Sequence, residues 1–304
     1  MSKAAYARAP IRTVEGIPVF SESDEYVANY AKIAHDHLEH LASTHHSPFM
    51  VDDQIQDSEA VTLGLIQRYL PDGARILDAG VGTGNLLKNV PNYDRYGVDV
   101  ALEYLQLALK RGLTVALAKL AEMPYVDNYF DGVVVCDVLE HLLDLDASVA
   151  QIARVLKPGG VLIVRVPNNE DLSSYVANDL YAYMHVRSFT RDSLRLYFEK
   201  CFEFKCLGFE YAAKSFYVAS QILTPAPSLK APLRDVLVPM AKAAVESNAP
   251  QAEALESLSK GLVLTLEEQV DALITLRDKH PNVFAEIAQT LIRPAEFIGV
   301  FQAR

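Results

Sequence analysis

Cysteine, basic charge and long apolar runs are all scarce in this sequence. Its three cysteines, Cys136, Cys201 and Cys206, form no C-x-x-C pair, which argues against a disulfide framework or a structural zinc and reads them as reduced core residues. No window approaches the roughly 18 consecutive apolar residues of a membrane span. The opening M-S-K-A-A-Y-A-R-A-P offers no apolar core for a signal peptide, so the expectation is a cytoplasmic protein with no membrane span. Lys and Arg number 28 against 39 Asp and Glu, a net charge of -11. That balance opposes general attraction to nucleic acid and favours small-molecule partners. With 304 residues, half of them hydrophobic, the chain can bury a large core as one large domain or two.

Two further absences concern the stretch Arg75 to Leu87, R-I-L-D-A-G-V-G-T-G-N-L-L. Ile76 and Leu77 lead into Asp78 and then glycines at 80, 82 and 84, which reads as strand, tight turn and helix, with a ligand close to the main chain. A dinucleotide fingerprint would place its third glycine at position 85, which is Asn85. A P-loop would end in G-K-[ST], whereas this loop ends Gly84-Asn85-Leu86. What remains is a ligand with an adenosine-like body and no pyrophosphate.

The surrounding periodicities predict alternating strands and helices. Glu22 to Leu41 repeats at three and four residues, with Tyr26, Tyr30 and Ile33 on one face. A second helix is expected from Ser58 to Leu70, stopped by Pro71-Asp72-Gly73. Strands follow at 96–100, 113–117, 130–136 and 161–166, separated by helices at 101–111 and 147–156. Fully apolar strands such as V-V-V-C and V-L-I-V imply a parallel sheet covered on both faces. A helix capped by Thr190 and a strand over 202–211 come next. From Pro225 to Ile292 the composition turns to Ala, Leu, Glu and Lys, a helical stretch, before Phe297 to Phe301 returns to a strand pattern.

The expected fold is therefore α/β, doubly wound and Rossmann-like, with a mostly parallel seven-stranded sheet. Residues 1–56 read as an N-terminal helical lid, 57–224 as the core, 225–295 as a helical insertion and 296–304 as the final strand. The insertion could serve as lid or as a homodimer contact. Five of the eight histidines lie between His35 and His46; His35, His37 and His40 do not share a helical face, so a solvated face is read there and no metal. Asp99 ends the second core strand, where an acid can accept hydrogen bonds from both ribose hydroxyls of an adenosine.

Taken together, L-D-A-G-V-G-T-G, Y-G-V-D-V, A-E-M-P-Y-V-D-N-Y-F-D-G-V-V-V-C-D-V-L-E-H-L and L-K-P-G-G-V-L-I-V-R-V-P-N resemble the motifs of class I S-adenosylmethionine-dependent methyltransferases over about residues 65–209. Within that superfamily the chain is similar to ubiquinone-type small-molecule O-methyltransferases. The resemblance implies S-adenosyl-L-methionine as cofactor, with its methionine part cradled by the backbone at Asp78, Gly80, Gly82 and Gly84. Relatives commonly place an Asp at the end of the third strand to read the adenine; here that position is Lys119, which cannot accept the bond. Leu120, Ala121 and Glu122 are the stand-ins, and Asp137 completes the cofactor set.

A methyl donor leaves the enzyme to align the acceptor and remove its proton. In C-D-V-L-E-H-L, His141 is read as a base for a hydroxyl or, as the resemblance to some relatives implies, as joining Glu140 in holding a divalent cation, against a reading in which both only fix the loop; His185 is the second candidate base. Tyr26, Tyr30, Tyr183 and Arg187 are the candidate substrate residues, the last through its charge. The implied reaction is O-methylation of a small acceptor. Alternatives are N- or C-methylation, or a binding or assembly protein that keeps the fold without turnover. Nucleic-acid methylation is disfavoured because [DN]-P-P-[FY] and Pro-Cys motifs are absent.

Overall fold

The computed structural model describes residues 5–50, 52–172, 175, 180–215, 278–282 and 293–304. Its strands are β1 (Arg12–Val14), β2 (Ile17–Val19), β3 (Arg75–Ala79), β4 (Asp94–Asp99), β5 (Thr114–Leu117), β6 (Phe130–Cys136), β7 (Leu156–Pro167), β8 (Lys205–Ser215) and β9 (Arg293–Gln302). They form one sheet in the order β1-β2-β5-β4-β3-β6-β7-β9-β8. Neighbours from β2 to β7 run parallel, whereas β1 opposes β2 and β9 opposes β7. This is a Rossmann-like fold with a mixed sheet. Among the described residues no helix is long and apolar enough to cross a membrane.

Successive strand residues point to opposite faces, and both faces are apolar. Ile76, Val134 and Ile163 bury in one cluster, with Leu65 and Ile66 of α2 (Asp52–Tyr69) and Leu105 and Ala108 of α3 (Leu102–Lys110). Leu77, Val133, Val135 and Leu162 bury in the other, with Val149 and Ile152 of α4 (Leu145–Val155) and Phe198 of α5 (Arg191–Cys201). Covered on both sides, the sheet exposes its parallel strand ends, where the loops carry chemistry.

The sheet departs from expectation by two strands. The seven foreseen are β3 to β9; the other two are a hairpin inside the segment read as a lid, where E-G-I-P-V-F looks like a turn and a short extended piece but has no place in the expected sheet. Glu15 and Gly16 both adopt positive φ (49° and 81°), the pairing of a tight two-residue hairpin turn. Three-residue strands leave too little alternation to read, and Pro18 within β2 weakens the pattern further. Val19 is the β2 residue registered with β5, opposite Leu117, so the missing Pro18 donor costs that ladder little.

Two helices start elsewhere than foreseen. α1 (Glu25–Thr44) is capped by Asp24, whose side chain accepts from the Val27 amide at 2.9 Å. α2 begins at Asp52, with Asp52 and Asp53 in its positive first turn. Ser58, with Asp57 one of two candidate caps for this helix, is instead buried within α2, where its hydroxyl donates to the Glu296 carboxylate. The chain divides into one unit of Met1–Ala213 with Glu296–Arg304 and another of Lys214–Ala295. The expected helical insertion, and its role as lid or dimer contact, fall outside the described residues apart from 278–282.

Candidate functional site

Gly80, Gly82 and Gly84 follow β3 with φ of 91°, 48° and 75°, values that side chains seldom tolerate. Their surroundings differ. A Cβ at Gly80 would run into the Val138 side chain, and one at Gly84 would meet Ala108 of α3 at 3.0 Å, whereas one at Gly82 would find nothing within 4 Å. The outer glycines thus permit close packing, and Gly82 faces open space. Its amide donates to Asp99 Oδ2 at 2.9 Å while Asp99 Oδ1 accepts from the Ala101 amide at 2.9 Å. Each Asp99 oxygen retains a second lone pair for a ligand. Arg111 clasps the loop by donating to the Thr83 carbonyl at 2.6 Å, and Asn85 donates to Glu59 at 2.6 Å.

Asp78 sits beneath this turn, 3% exposed. Burial, opposed by Arg165 and reinforced by the negative Asp99, Asp137 and Glu59, pushes its carboxyl up to about 8. Such a concentration of acid favours a ligand carrying positive charge.

The end of β5 differs from the expectation for an adenine reader. Leu120–Glu122 form a short 3-10 turn. Lys119 reaches Asp24, the cap of α1, at 2.5 Å, and Glu122 at 3.4 Å, while its amide donates to Ser21. Lys119 therefore ties α1 to the sheet, and the Glu122 side chain is drawn toward that lysine.

Beyond β6 the chain turns through Asp137, whose φ is 55°, into a 3-10 turn at Leu139–His141. Glu140 is 1% exposed, and burial, with Asp137 adding to it, holds its carboxyl well above the usual range. Burial and the neighbouring His185 push the His141 imidazole down to about 4. The His141 and His185 ring centroids are 4.4 Å apart, and His185 Nδ1 pairs with Glu170. The two candidate histidines, 44 residues distant along the chain, thus form one cluster with Glu140. Among the described residues it is the group whose His and carboxylate atoms converge closely enough for a metal; in α1, His35 lies beside Glu39 and Glu103 and His37 meets the Tyr104 hydroxyl, and beyond α1 His46 pairs with Asp52.

Arg187, the charged substrate candidate, spends one guanidinium nitrogen on the chain itself. Its Nη1 donates to the Leu139 carbonyl at 3.0 Å and to that of Leu142, which fixes the Glu140 and His141 turn. Asp137 is likewise committed: Arg165 holds it at 2.6 Å and reaches Glu296 at 3.4 Å. The faint signal for this network was a lone arginine in the apolar run V-L-I-V-R-V and a lone glutamate beside F-I-G-V-F.

The aromatic candidates line up between the two halves. Tyr26 and Tyr30 have centroids 4.7 Å apart, Tyr26 and Tyr183 6.1 Å, and Tyr30 meets the His141 ring edge-on at 5.7 Å. Burial keeps both tyrosine hydroxyls protonated, with Asp99 adding to the effect at Tyr26 and Glu140 at Tyr30. Asn29, which sequence reasoning did not single out, donates to the Tyr183 carbonyl at 2.9 Å and accepts from its amide at 3.2 Å.

Comparison with known proteins adds a family signal. Residues 77–164 match the family model described as a methyltransferase domain. The chain is similar to a ubiquinone/menaquinone biosynthesis C-methyltransferase of Cupriavidus metallidurans, 32% identical over 33% of this chain and 46% of the relative. It is also similar to a tRNA (carboxymethyluridine(34)-5-O)-methyltransferase of Arabidopsis thaliana, 31% identical over 32% and 25%. The chain spans less than half the length of these relatives. Among solved structures, a chain from the complex of the Haloferax volcanii Trm112 methyltransferase activator with a methyltransferase aligns over 91% of this chain and 97% of that one. The TM-score is 0.55 and the identity 15%, a likeness of fold.

Proposed function

We propose that this chain, whose residues 77–164 belong to a class I S-adenosylmethionine-dependent methyltransferase domain, methylates an oxygen of a small acceptor in the cytoplasm. The observation that carries the reading is the packing of Val138 against Gly80. It sets the turn bearing Glu140 and His141 against the glycine turn, so proton removal and methyl donation share one site. S-adenosylmethionine, the cofactor, supplies when bound a methyl group made electrophilic by its sulfonium. The residues present suit it: Gly82 opens onto free space, Asp99 retains lone pairs for ribose hydroxyls, and buried Asp78 favours a cationic ligand.

The chain's own groups then have two tasks. Tyr26, Tyr30 and Tyr183 form an aromatic wall that orients the acceptor, and Asn29 holds that wall in place. The Glu140, His141 and His185 cluster takes the acceptor's proton. With its Nδ1–H donated to Glu170, neutral His185 keeps Nε2 as the unprotonated nitrogen. The net charge of -11 favours a small acceptor over RNA.

Calorimetry with S-adenosylhomocysteine tests the first half. Binding is expected for the wild type and lost in Gly82→Val, whose side chain would fill the open face; no binding to the wild type would sink the reading. Transfer of a labelled methyl group, assayed against hydroxylated and phenolic acceptors, quinol precursors and tRNA, tests the second. His185→Ala should lower turnover by about 10²-fold or more with cofactor affinity unchanged. Methylation of tRNA alone would overturn the small-molecule assignment.

A further inference from the structure

A buried polar chain runs beneath the turn that follows β6, and neither cofactor binding nor proton removal uses it. It starts on α2, where the Thr62 hydroxyl donates to the Ser58 carbonyl at 2.7 Å and the Ser58 hydroxyl donates to Glu296 of β9. Glu296 lies 3.4 Å from Arg165 Nε on β7, and Arg165 closes on Asp137 with Nη2 at 2.6 Å and Nε at 3.2 Å from Oδ2. Ser58, Thr62 and Glu296 are buried, and the Arg165 side chain is 12% exposed. A buried ion pair adds little stability over apolar side chains of the same volume, so stability alone does not account for this one. What the arginine holds is an unusual residue. Asp137 is the first residue beyond β6 and has a φ of 55°, a region that side chains seldom occupy and that persists where the surroundings over-determine it.

We propose that Arg165 is a positioning residue for methyl transfer: by gripping Asp137 it sets the left-handed bend that seats the turn from Val138 to His141 against the glycine turn. The grip is double. The Arg165 carbonyl accepts from the Asp137 amide at 3.0 Å, and the Arg165 guanidinium binds the Asp137 carboxylate in a forked pair, so one residue fixes both the backbone and the side chain of the bend. The next residue, Val138, packs over Gly80, and Glu140 and His141 follow within the same 3-10 turn. A bend that relaxed would carry all three away from the glycines together. Arg187 holds the far side of this turn through the Leu139 and Leu142 carbonyls, so the turn is fixed from both ends. Through Glu296 the last strand also bears on the site, although it touches none of the candidate reacting groups. The effect on turnover rests on the methyl-transfer reading, whereas the grip on the bend does not.

The test uses the full chain and three variants. Arg165→Met keeps an unbranched side chain and removes the fork, and Arg165→Lys keeps the charge. Arg165→Met combined with Asp137→Gly supplies a residue that takes positive φ unaided. Tm and S-adenosylhomocysteine binding check that each variant folds. In labelled-methyl transfer, Arg165→Met should lower kcat by about tenfold or more while shifting the cofactor KM by less than about threefold. Arg165→Lys and the combined variant should each recover part of that loss. Hydrogen exchange at the His141 and Leu142 amides, which donate to the Val138 and Leu139 carbonyls, should quicken by about tenfold in Arg165→Met and slow again in the combined variant. Unchanged kcat or unchanged exchange in Arg165→Met overturns the proposal. So does a loss of kcat that follows Tm across the variants with no recovery by glycine, the result expected of a merely structural ion pair. A wild type that transfers no methyl group, with exchange in the expected order, would remove the methyl-transfer reading and leave the grip on the bend standing.

Discussion

Asp78 concentrates the electrostatics beneath the glycine turn in one side chain. Its carboxyl titrates near 8 when folded against 3.8 for the free group, chiefly through burial. A raised pKa means that the unfolded chain releases its proton first. The stabilising contribution is therefore full below about pH 3.8 and is lost as pH climbs through about 8. Asn cannot titrate, so Asp78→Asn should gain stability relative to wild type as pH rises from 5 to 8, read as a growing difference in Tm without ligand. A constant difference would mean that Asp78 is ionised throughout. Conversely, cofactor affinity in the wild type should rise over the same range, because a cationic ligand favours the carboxylate, and should become flat in the variant. The sequence made this residue and the three glycines conspicuous because type and spacing alone mark them. Lys119, Arg165, Glu170 and Asn29 were opaque because their meaning comes from partners remote in the chain: Asp24, Glu296, His185 and Tyr183. The role of Arg187 in fixing the Leu139–Leu142 turn was hidden for the same reason, since its partners there are backbone carbonyls that leave no trace in composition.

α1, which carries Tyr26, Asn29 and Tyr30, is held at three places. It is anchored to the end of β5 through Asp24 and Lys119, to α3 through His37 and Tyr104 at 2.6 Å, and to the 180–187 loop through Asn29. The last contact behaves like one rung of a strand ladder, with an amide side chain in place of a backbone. Asn29→Ala would leave the Tyr183 amide and carbonyl without partners in a half-buried place, at a cost of about 1–3 kcal/mol. Hydrogen exchange should quicken in both α1 and residues 180–187. Asn29→Asp keeps the acceptor and loses the donor, so its effect should be smaller; equal exchange in all three proteins would mean that the two elements are held by other contacts. Helical periodicity made α1 legible from sequence, whereas β1 and β2 were too short to show a period. The early start of α2 was obscured because Ser58 looks like a cap and serves as a buried donor to Glu296 instead.

Across the whole molecule, the alternation of apolar strands and amphipathic helices made the doubly wound core readable, and the parallel run from β5 to β7 follows from it. The order at the far edge was not readable, because periodicity reports that a segment is a strand and says nothing of which neighbour it takes. There β9 lies between β7 and β8, so β8 reaches the sheet through a strand encoded long after it. Synthesis and assembly are therefore out of step at this edge. A chain ending at Ser215 has β1 to β7 of the sheet, with β7 uncovered along one side and β8 lacking its ladder partner. Such an intermediate invites pairing with a neighbouring chain. A released chain truncated after Ser215 should be cleaved by protease within β8 while β3 to β7 resist, and the full-length chain should resist at both. The edge that closes last is the one where a cell's chaperones would find this protein waiting.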